Sequence, residues 1–367
     1  MRIIKKIFKS LYKLVVYSLF KLIYGKIYPS SGLYSHDDLI ITKTNNKKIK
    51  NSDKKNYSIY ELKNGRVCND FVENVAVIHR NKILTKISYQ QVNGKLKNVK
   101  HNSAIYKGTP YLKKKINGNV LCLIQGASGH TNYFHWLYDI LPKIKIYSEK
   151  YKLTSIDYFY LSRLQEYQKK TLQSLGLGDI KILDAKKYRH FSADKIFAVE
   201  HPWYNKGYIL KEVNKLPGWI IHWIRNSFLK NSKKFNCNEK IFIDRSESSF
   251  NHCQLINHQE VYSLLKEQGF TKYKVGQLSW EKQIYLFKNA KVIVGAHGAA
   301  FANLAFCSPK TKIIEIKPKY HPNYISKTIG KINDLDVKII ETPKVSKKIR
   351  SQGDILLDIN KLKQSLD

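Results

Sequence analysis

The stretch Val292-Ile293-Val294-Gly295-Ala296-His297-Gly298-Ala299-Ala300-Phe301-Ala302-Asn303 constrains the fold more than any other part of this chain. Its β-branched apolar start reads as a buried strand. A Gly-Ala-His-Gly turn follows, and a run of small residues then opens a helix. Downstream, Ile313-Ile314-Glu315-Ile316 reads as the next strand, with one carboxylate inside it. Strand, tight glycine turn and helix N-terminus together build an anion site, because exposed N–H groups and the helix dipole favour a phosphate. The two glycines let a bulky ligand approach the backbone. Taken alone, the turn is equally an ordinary βα connection, so the rest of the chain decides.

The alternation of short apolar runs and helical patterns extends on both sides of that motif. Val75–Ile78 and Ile83-Leu84, around Arg80-Asn81, read as a hairpin, and Val120–Ile124 as a buried strand. Strand-like runs at 158–161, 180–183 and 195–199 are interleaved with helices at 167–175 and 219–229. A basic run at Lys230–Lys234 reads as a linker. Beyond it, strands at 241–243, 273–275, 292–294, 313–316 and 337–340 alternate with helices at 258–268, 279–288, 324–332 and 355–366. Strands and helices alternating at this length imply parallel sheets. The predicted class is α/β, with two Rossmann-like domains facing a cleft. The predicted boundaries are 1–30 for an N-terminal helix, 31–230 and 231–345 for the two domains, and 346–367 for a C-terminal helix packing back on the N-terminal domain.

The chain has 367 residues, which suits about two domains. Its 65 Lys+Arg against 28 Asp+Glu leave a net charge of +37. Such a surface attracts polyanions, whether nucleic acid, anionic lipid or nucleotide sugars. Lys, Asn, Ile and Tyr are abundant throughout, so the charge also reads as a compositional bias. No zinc-finger, homeodomain or RNP-type signature accompanies it, which argues against a specific nucleic-acid partner. The alternative is a polyanion-binding protein using Rossmann-like domains as scaffold. The cysteines, Cys68, Cys122, Cys237, Cys253 and Cys307, are scattered and odd in number, against a disulfide framework and against structural zinc.

At helical spacing in residues 1–30, Arg2, Lys5, Lys6, Lys9 and Lys13 fall to one side, with Ile4, Phe8, Leu11, Val15 and Leu22 toward the other. Lys13 and Lys21 interrupt the apolar run before it is long enough to span a bilayer, and no small-residue cleavage site is evident. The expectation is a basic amphipathic helix lying on an anionic membrane surface, with the protein cytoplasmic and peripheral at the inner face. A helix packed on its own domain is the other reading.

Two further stretches carry chemistry. In Gly126–Pro142, Thr131 or Asn132 caps a helix, and His135 and Asp139 fall at i and i+4 on one face. A histidine and a carboxylate presented together suit proton transfer; a surface pair beside core Trp136 and Leu137 is the plainer reading. Arg245 lies at the end of the strand at 241–243, where α/β sheets bind ligands, and its guanidinium suits a diphosphate. Glu315 is placed to take ribose hydroxyls. Dinucleotide-type and P-loop glycine patterns are missing. Asp334-Leu335-Asp336 is an Asp-x-Asp in a polar turn far from the glycine motif. His201, Trp203 and Tyr204 follow a strand end, either to touch an acceptor or as a satisfied loop.

His135-Trp136-x-x-Asp139-x-Leu141-Pro142, Ile243-Asp244-Arg245, Gly295-x-His297-Gly298-Ala299-x-x-x-Asn303 and Ile314-Glu315-Ile316, in that order, resemble glycosyltransferase family 61 over about residues 120 to 320. That family includes bacterial capsule and lipopolysaccharide enzymes, plant xylosyl- and arabinosyltransferases and animal protein O-linked N-acetylglucosaminyltransferases. The resemblance implies a GT-B architecture with an acceptor-side N-terminal domain and a nucleotide-sugar donor on the C-terminal one. It also implies inversion at the anomeric carbon, with a glycan or lipid-linked glycan as acceptor. Asp139 is then the first candidate for the base, with His135 orienting or replacing it. Arg245, Gly295, His297, Gly298, Ala299, Ala300, Asn303 and Glu315 are the donor-binding candidates. Neither a cofactor nor a metal is expected. Members commonly carry a second arginine soon after the first; Ser246–Cys253 has none, and His252 is the candidate stand-in for that phosphate contact. Asn257 matches the asparagine that usually follows.

Overall fold

The computed structural model describes residues 2–30, 36–44, 56–70, 74–124, 132–246, 253–343 and 353–366. The chain divides into two compact units, one of residues 1–165 and 179–209, the other of 166–178 and 210–367. The boundary expected near residue 230 thus falls earlier. The reason lies in helix Gly218–Phe228, whose Trp219, Ile220, Ile224 and Phe228 are buried. Phe228 packs edge-on against Trp280, and Arg225 Nη1 donates to the carbonyls of Ala305 and Cys307. The basic run after it is a short 3₁₀ turn bonded through Lys233 N–H to the Glu281 carbonyl, not a linker.

The first unit is built on a ten-stranded mixed sheet. Strands Lys181–Asp184, Tyr158–Leu161, Lys114–Cys122 and His190–Val199 lie side by side and parallel. Strands Leu39–Lys43, Ser58–Lys63, Arg66–Asn69, Val75–His79 and Lys82–Ile83 join as antiparallel neighbours. The expectation of a Rossmann-like first domain is therefore corrected: only the four parallel strands at one end of its sheet are of βα type. Arg80 and Asn81 adopt positive φ of 44° and 59°, the two-residue hairpin geometry that joins antiparallel strands and cannot join parallel ones. Helix Arg2–Tyr24 is held to this unit at its C-terminal end. There Arg66 Nη2 donates to the Tyr24 carbonyl, the Tyr24 hydroxyl accepts the Lys113 N–H, and the Tyr24 ring sits edge-on to His190. Among the described residues no helix is long and apolar enough to cross a membrane.

The second unit is a five-stranded, wholly parallel sheet in the order Thr271–Tyr273, Lys240–Ile243, Val292–Ala296, Lys312–Pro318, Asp336–Thr342. The first strand in sequence is second in space, so the winding reverses between Lys240–Ile243 and Val292–Ala296. A doubly wound sheet opens its ligand crevice outside the carboxyl ends of the strands at such a point. Val261, Leu265, Val294, Ile314, Ile316 and Leu362 form the core on one face. Leu362 belongs to the last helix, Ile359–Leu366, so that helix packs on the C-terminal unit and not, as expected, on the N-terminal one. Asn257 fixes the approach to it: its side chain donates to the Leu357 carbonyl and accepts the Leu357 N–H. Asp334 ends helix Ile325–Asn333 in a left-handed conformation and pairs with Lys310, a capping role for the Asp-x-Asp turn.

Candidate functional site

In the second unit the site follows from strand register. Ile243, Gly295 and Glu315 are lateral neighbours. Two residues further, on the same sheet face, come Arg245, His297 and Lys317, with Glu341 paired to Lys317 on the next strand. The His297 N–H still donates to the Ile316 carbonyl, so the ladder carries His297 to the carboxyl edge of the sheet. Arg245 and His297 thus flank the reversal of the winding, with Lys317 one strand further on. Gly295 is required by space, since a Cβ there would lie 2.9 Å from Ile243 Cβ.

Arg245 Nη1 donates to the His297 carbonyl, and its guanidinium lies against Gly298. The Gly298 backbone is extended, so the glycine answers to room for the arginine, not to φ. Ala299–Phe306 is a 3₁₀ helix where an α-helix was expected. Its first backbone bond runs from Phe301 N–H to the Gly298 carbonyl. The N–H groups of Gly298, Ala299 and Ala300 precede that bond, as in the first turn of any helix.

Glu315 and Asn303, expected to contact the donor, both lie inside the unit, and Glu315 is wholly buried. Its Oε1 accepts from His297 Nδ1 at 2.5 Å, and its other oxygen accepts from the Ser326 hydroxyl. Burial works to raise its pKa, but His297, the Ser326 bond and Lys317 outweigh it and hold the carboxyl below its usual range. Glu315 therefore sets the tautomer of His297, leaving Nε2 as the ring's free edge. Asn303 is also fully buried and donates to Gln283 Oε1, so it is an internal tie. His252 lies outside the described residues.

Lys317 was not anticipated. Its buried ammonium donates to the carbonyls of His321 and Asn323, both at 2.9 Å, and sits over the Tyr324 ring. Burial pulls its pKa down to about 8. It fastens the loop that sets the His321 ring, tilted by 50°, beside His297, with ring centroids 4.4 Å apart. Two-residue alternation from Glu315 was the signal that would have found it.

In the first unit, residues 133–148 form one continuous helix: α over Tyr133–His135, π over Trp136–Ile140, α again over Leu141–Ser148. Asn132 caps it by accepting the His135 N–H; Thr131 lies outside the described residues. Pro142 explains the π turn. Proline has no N–H, so the Tyr138 carbonyl loses its α-helical donor. The Leu141 N–H reaches back to the Trp136 carbonyl, and the Tyr138 carbonyl accepts Trp203 Nε1.

Asp139 is wholly buried in that turn. One oxygen accepts from His135 Nδ1 at 2.7 Å, the other from Trp203 Nε1 at 2.9 Å, and His201 Nε2 lies 3.4 Å away. His201 Nδ1 accepts the Tyr204 N–H, which places the ring proton on Nε2, toward Asp139. Burial works to raise the Asp139 pKa, but the facing His135 and His201 and their hydrogen bonds hold it well below the carboxylate range. Burial pushes His201 down to about 4 and Lys143, one turn beyond Asp139, down to about 7. The Lys143 ammonium donates to the Leu123 carbonyl.

An enclosed, ionised carboxylate ringed by N–H donors is a poor base. Asp139 holds Nδ1–H of His135, whose side chain is 21% exposed, and the alternative in which His135 replaces Asp139 as base is the one this geometry favours. His201 and Trp203 turn out to be the loop that satisfies Asp139.

A doubly wound parallel sheet with arginine and histidine at its reversal point defines the class of α/β protein whose ligand crevice lies at that point. Residues 133–314, about half of the chain, match the family model described as Glycosyltransferase 61, and the chain belongs to that family. It is a glycosyltransferase. Comparison with curated proteins gave no match. One similar solved structure is the crystal structure of a dodecameric iron-containing heptosyltransferase, TibC, in complex with ADP-D-beta-D-heptose. It is 11% identical and covers 78% of this chain and 79% of its own, with a TM-score of 0.30, too distant to argue from.

Proposed function

We propose that this glycosyltransferase inverts the anomeric centre, moving a hexose or pentose from a nucleotide-sugar donor to a glycan or lipid-linked glycan acceptor in surface-polysaccharide synthesis. Two observations, one in each unit, support the reading: His135 is held through Nδ1 by Asp139, which leaves Nε2 as its other ring nitrogen, and Arg245, His297 and Gly298 form a corner at the reversal of the second sheet. His135 Nε2 takes the proton of the acceptor hydroxyl as its oxygen attacks the anomeric carbon. The bond from that carbon to the diphosphate breaks, and the nucleoside diphosphate leaves. Arg245, the imidazolium form of His297 with its Nδ1–H on Glu315, and the N–H groups of residues 298–300 neutralise the leaving oxygens, so no divalent cation is needed at the diphosphate. A GT-B arrangement of the two units belongs to this proposal.

The proposed location is the inner face of the cytoplasmic membrane. Along helix Arg2–Tyr24 the apolar side chains stand in solvent, Phe8 at 70% and Leu22 at 84% exposure, with Lys9 and Lys13 between them. Apolar anchors with interleaved lysines suit an anionic lipid surface. Deleting residues 2–23 is expected to release the protein from vesicles containing anionic lipid; retained binding defeats the location and leaves the chemistry standing.

The chemistry is tested by screening nucleotide sugars by calorimetry and following nucleoside diphosphate release. One donor is expected to bind wild type and His135→Ala alike, with release lost only in the variant. Failure of every nucleotide sugar to bind, together with tight, steeply salt-dependent nucleic-acid binding, replaces this reading with a polyanion binder.

A further inference from the structure

Away from both half-sites, the first unit brings two imidazoles and a carboxylate together. His36 opens a tight turn closed by a bond from Leu39 N–H to its carbonyl, just ahead of strand Leu39–Lys43. Asp38 lies in that turn. His79 is the last residue of strand Val75–His79, fully buried beside the Arg80-Asn81 hairpin tip. One donor atom from each of His36, Asp38 and His79 lies within 4.8 Å of the other two. The two rings stand 5.3 Å apart, centroid to centroid. His36 Nδ1 accepts the Asp38 N–H at 3.2 Å and lies 3.9 Å from the Asp38 carboxylate, so it is already on the Asp38 side of the ring.

We propose that His36, Asp38 and His79 form a divalent-metal site of zinc type that ties the turn at 36–39 to the hairpin at 75–83. Two neutral imidazoles and one carboxylate suit zinc or a similar transition ion, whereas magnesium and calcium favour all-oxygen shells. Metal–ligand bonds of about 2.0–2.2 Å require the donors to close by roughly 1 Å, within reach of side-chain rotation. The fourth position falls to water. Arg80 acts as the resident cation when no metal is bound: its Nη2 lies 3.1 Å from Asp38 Oδ2. Its side chain is largely exposed, so it can swing out as the ion enters. The Asp38 N–H gives up its bond to His36 Nδ1 in the same step. The site is structural and is independent of the glycosyltransfer chemistry.

The test uses the full chain, stripped of metal and titrated with Co²⁺ and separately with Zn²⁺. One ion per chain is expected to bind, with the visible absorption of tetrahedral Co²⁺ and a rise in melting temperature with Zn²⁺. His36→Ala and Asp38→Asn, both at partly exposed positions, are expected to weaken binding by roughly 10–100-fold. Arg80→Ala removes the competing cation and is expected to tighten it. The proposal fails if no Co²⁺ band develops, or if binding survives both His36→Ala and Asp38→Asn undiminished, since the ion then sits elsewhere.

Discussion

Each unit holds a histidine against a buried carboxylate through Nδ1, at 2.7 Å for His135–Asp139 and 2.5 Å for His297–Glu315. The pairs diverge in what else each carboxylate carries. Asp139 faces further N–H donors, Trp203 Nε1 and His201 Nε2, which can only donate. Glu315 shares its second oxygen with the Ser326 hydroxyl, which can turn and accept. Asp139 is therefore fixed as a carboxylate by its surroundings, while Glu315 sits in a cage that tolerates an amide. The imidazoles diverge as well: His135 presents an edge to solvent, whereas His297 lies under the glycine turn with Arg245 gripping its carbonyl. One pair is arranged to accept a proton and the other to meet negative charge.

The largest expected effect falls on the half-buried His135 imidazole. His135→Ala is predicted to lower kcat by about 10²–10⁴-fold with donor affinity and melting temperature close to wild type, as for loss of a general base. A near wild-type kcat breaks the proton-accepting half of the comparison. Next comes Asp139→Asn. Its amide must point an N–H at a donor that has nothing to accept with, and a destabilisation on the order of 3 kcal/mol is expected from denaturant unfolding. Glu315→Gln is the control: Oε1 still accepts from His297 and Nε2–H donates to a rotated Ser326 hydroxyl. Its unfolding free energy is expected to stay within about 1 kcal/mol of wild type. Equal losses in the two variants erase the distinction.

Acid separates the pairs in a third way. His201, behind Asp139, is held neutral with a pKa near 4 against an ordinary 6.5, because burial penalises its charge. Between those values the unfolded chain binds the extra proton, so stability falls as pH drops from 6.5 toward 4. The loss from His201 is at most about 3 kcal/mol. His190, in the same unit, is also held near 4 by burial and adds loss in the same window. Glu315 has the opposite sense. Its depressed carboxyl stabilises the fold above its ordinary 4.5, and that contribution is lost only as pH falls through the lower folded value. Hydrogen exchange resolved by unit, at pH 7 and 5, is expected to show the first unit loosening first. His201→Gln is expected to flatten that unit's acid slope; an unchanged slope removes His201 from the account.

The second unit was largely legible in the sequence because parallel strands there are continuous apolar runs between helices, and their C-terminal ends carry the candidate donor-binding groups in order. Arg245 and His297 could be placed by counting from strand ends. The first unit was less legible. Antiparallel strands such as 39–43 and 66–69 are short and depend on partners far along the chain, which no local period reports. The Asp139 environment was hidden for the same reason: Trp203 and His201 are some sixty residues away, and only the fold brings them to it. Glu315 misled differently. A carboxylate in a strand reads alike whether it faces a ligand or supports a neighbouring histidine.

The smallest effect predicted on function probes the anion-facing pair without touching a charged group. A Cβ at Gly298 would lie 2.8 Å from Arg245 Cζ and Nε, so Gly298→Ala must displace the guanidinium. The backbone there is extended, so alanine brings no conformational penalty of its own. The variant is therefore expected to fold as wild type and to bind the donor about tenfold more weakly, a cost of roughly 1.4 kcal/mol. In an Arg245→Ala background there is no guanidinium left to displace, so the same glycine substitution is expected to change donor affinity little. The cycle of the two variants thus measures a coupling that a purely structural glycine would lack. Additive losses would mean that the glycine serves the turn alone, and that the corner's charge is not set by how closely Arg245 approaches the backbone.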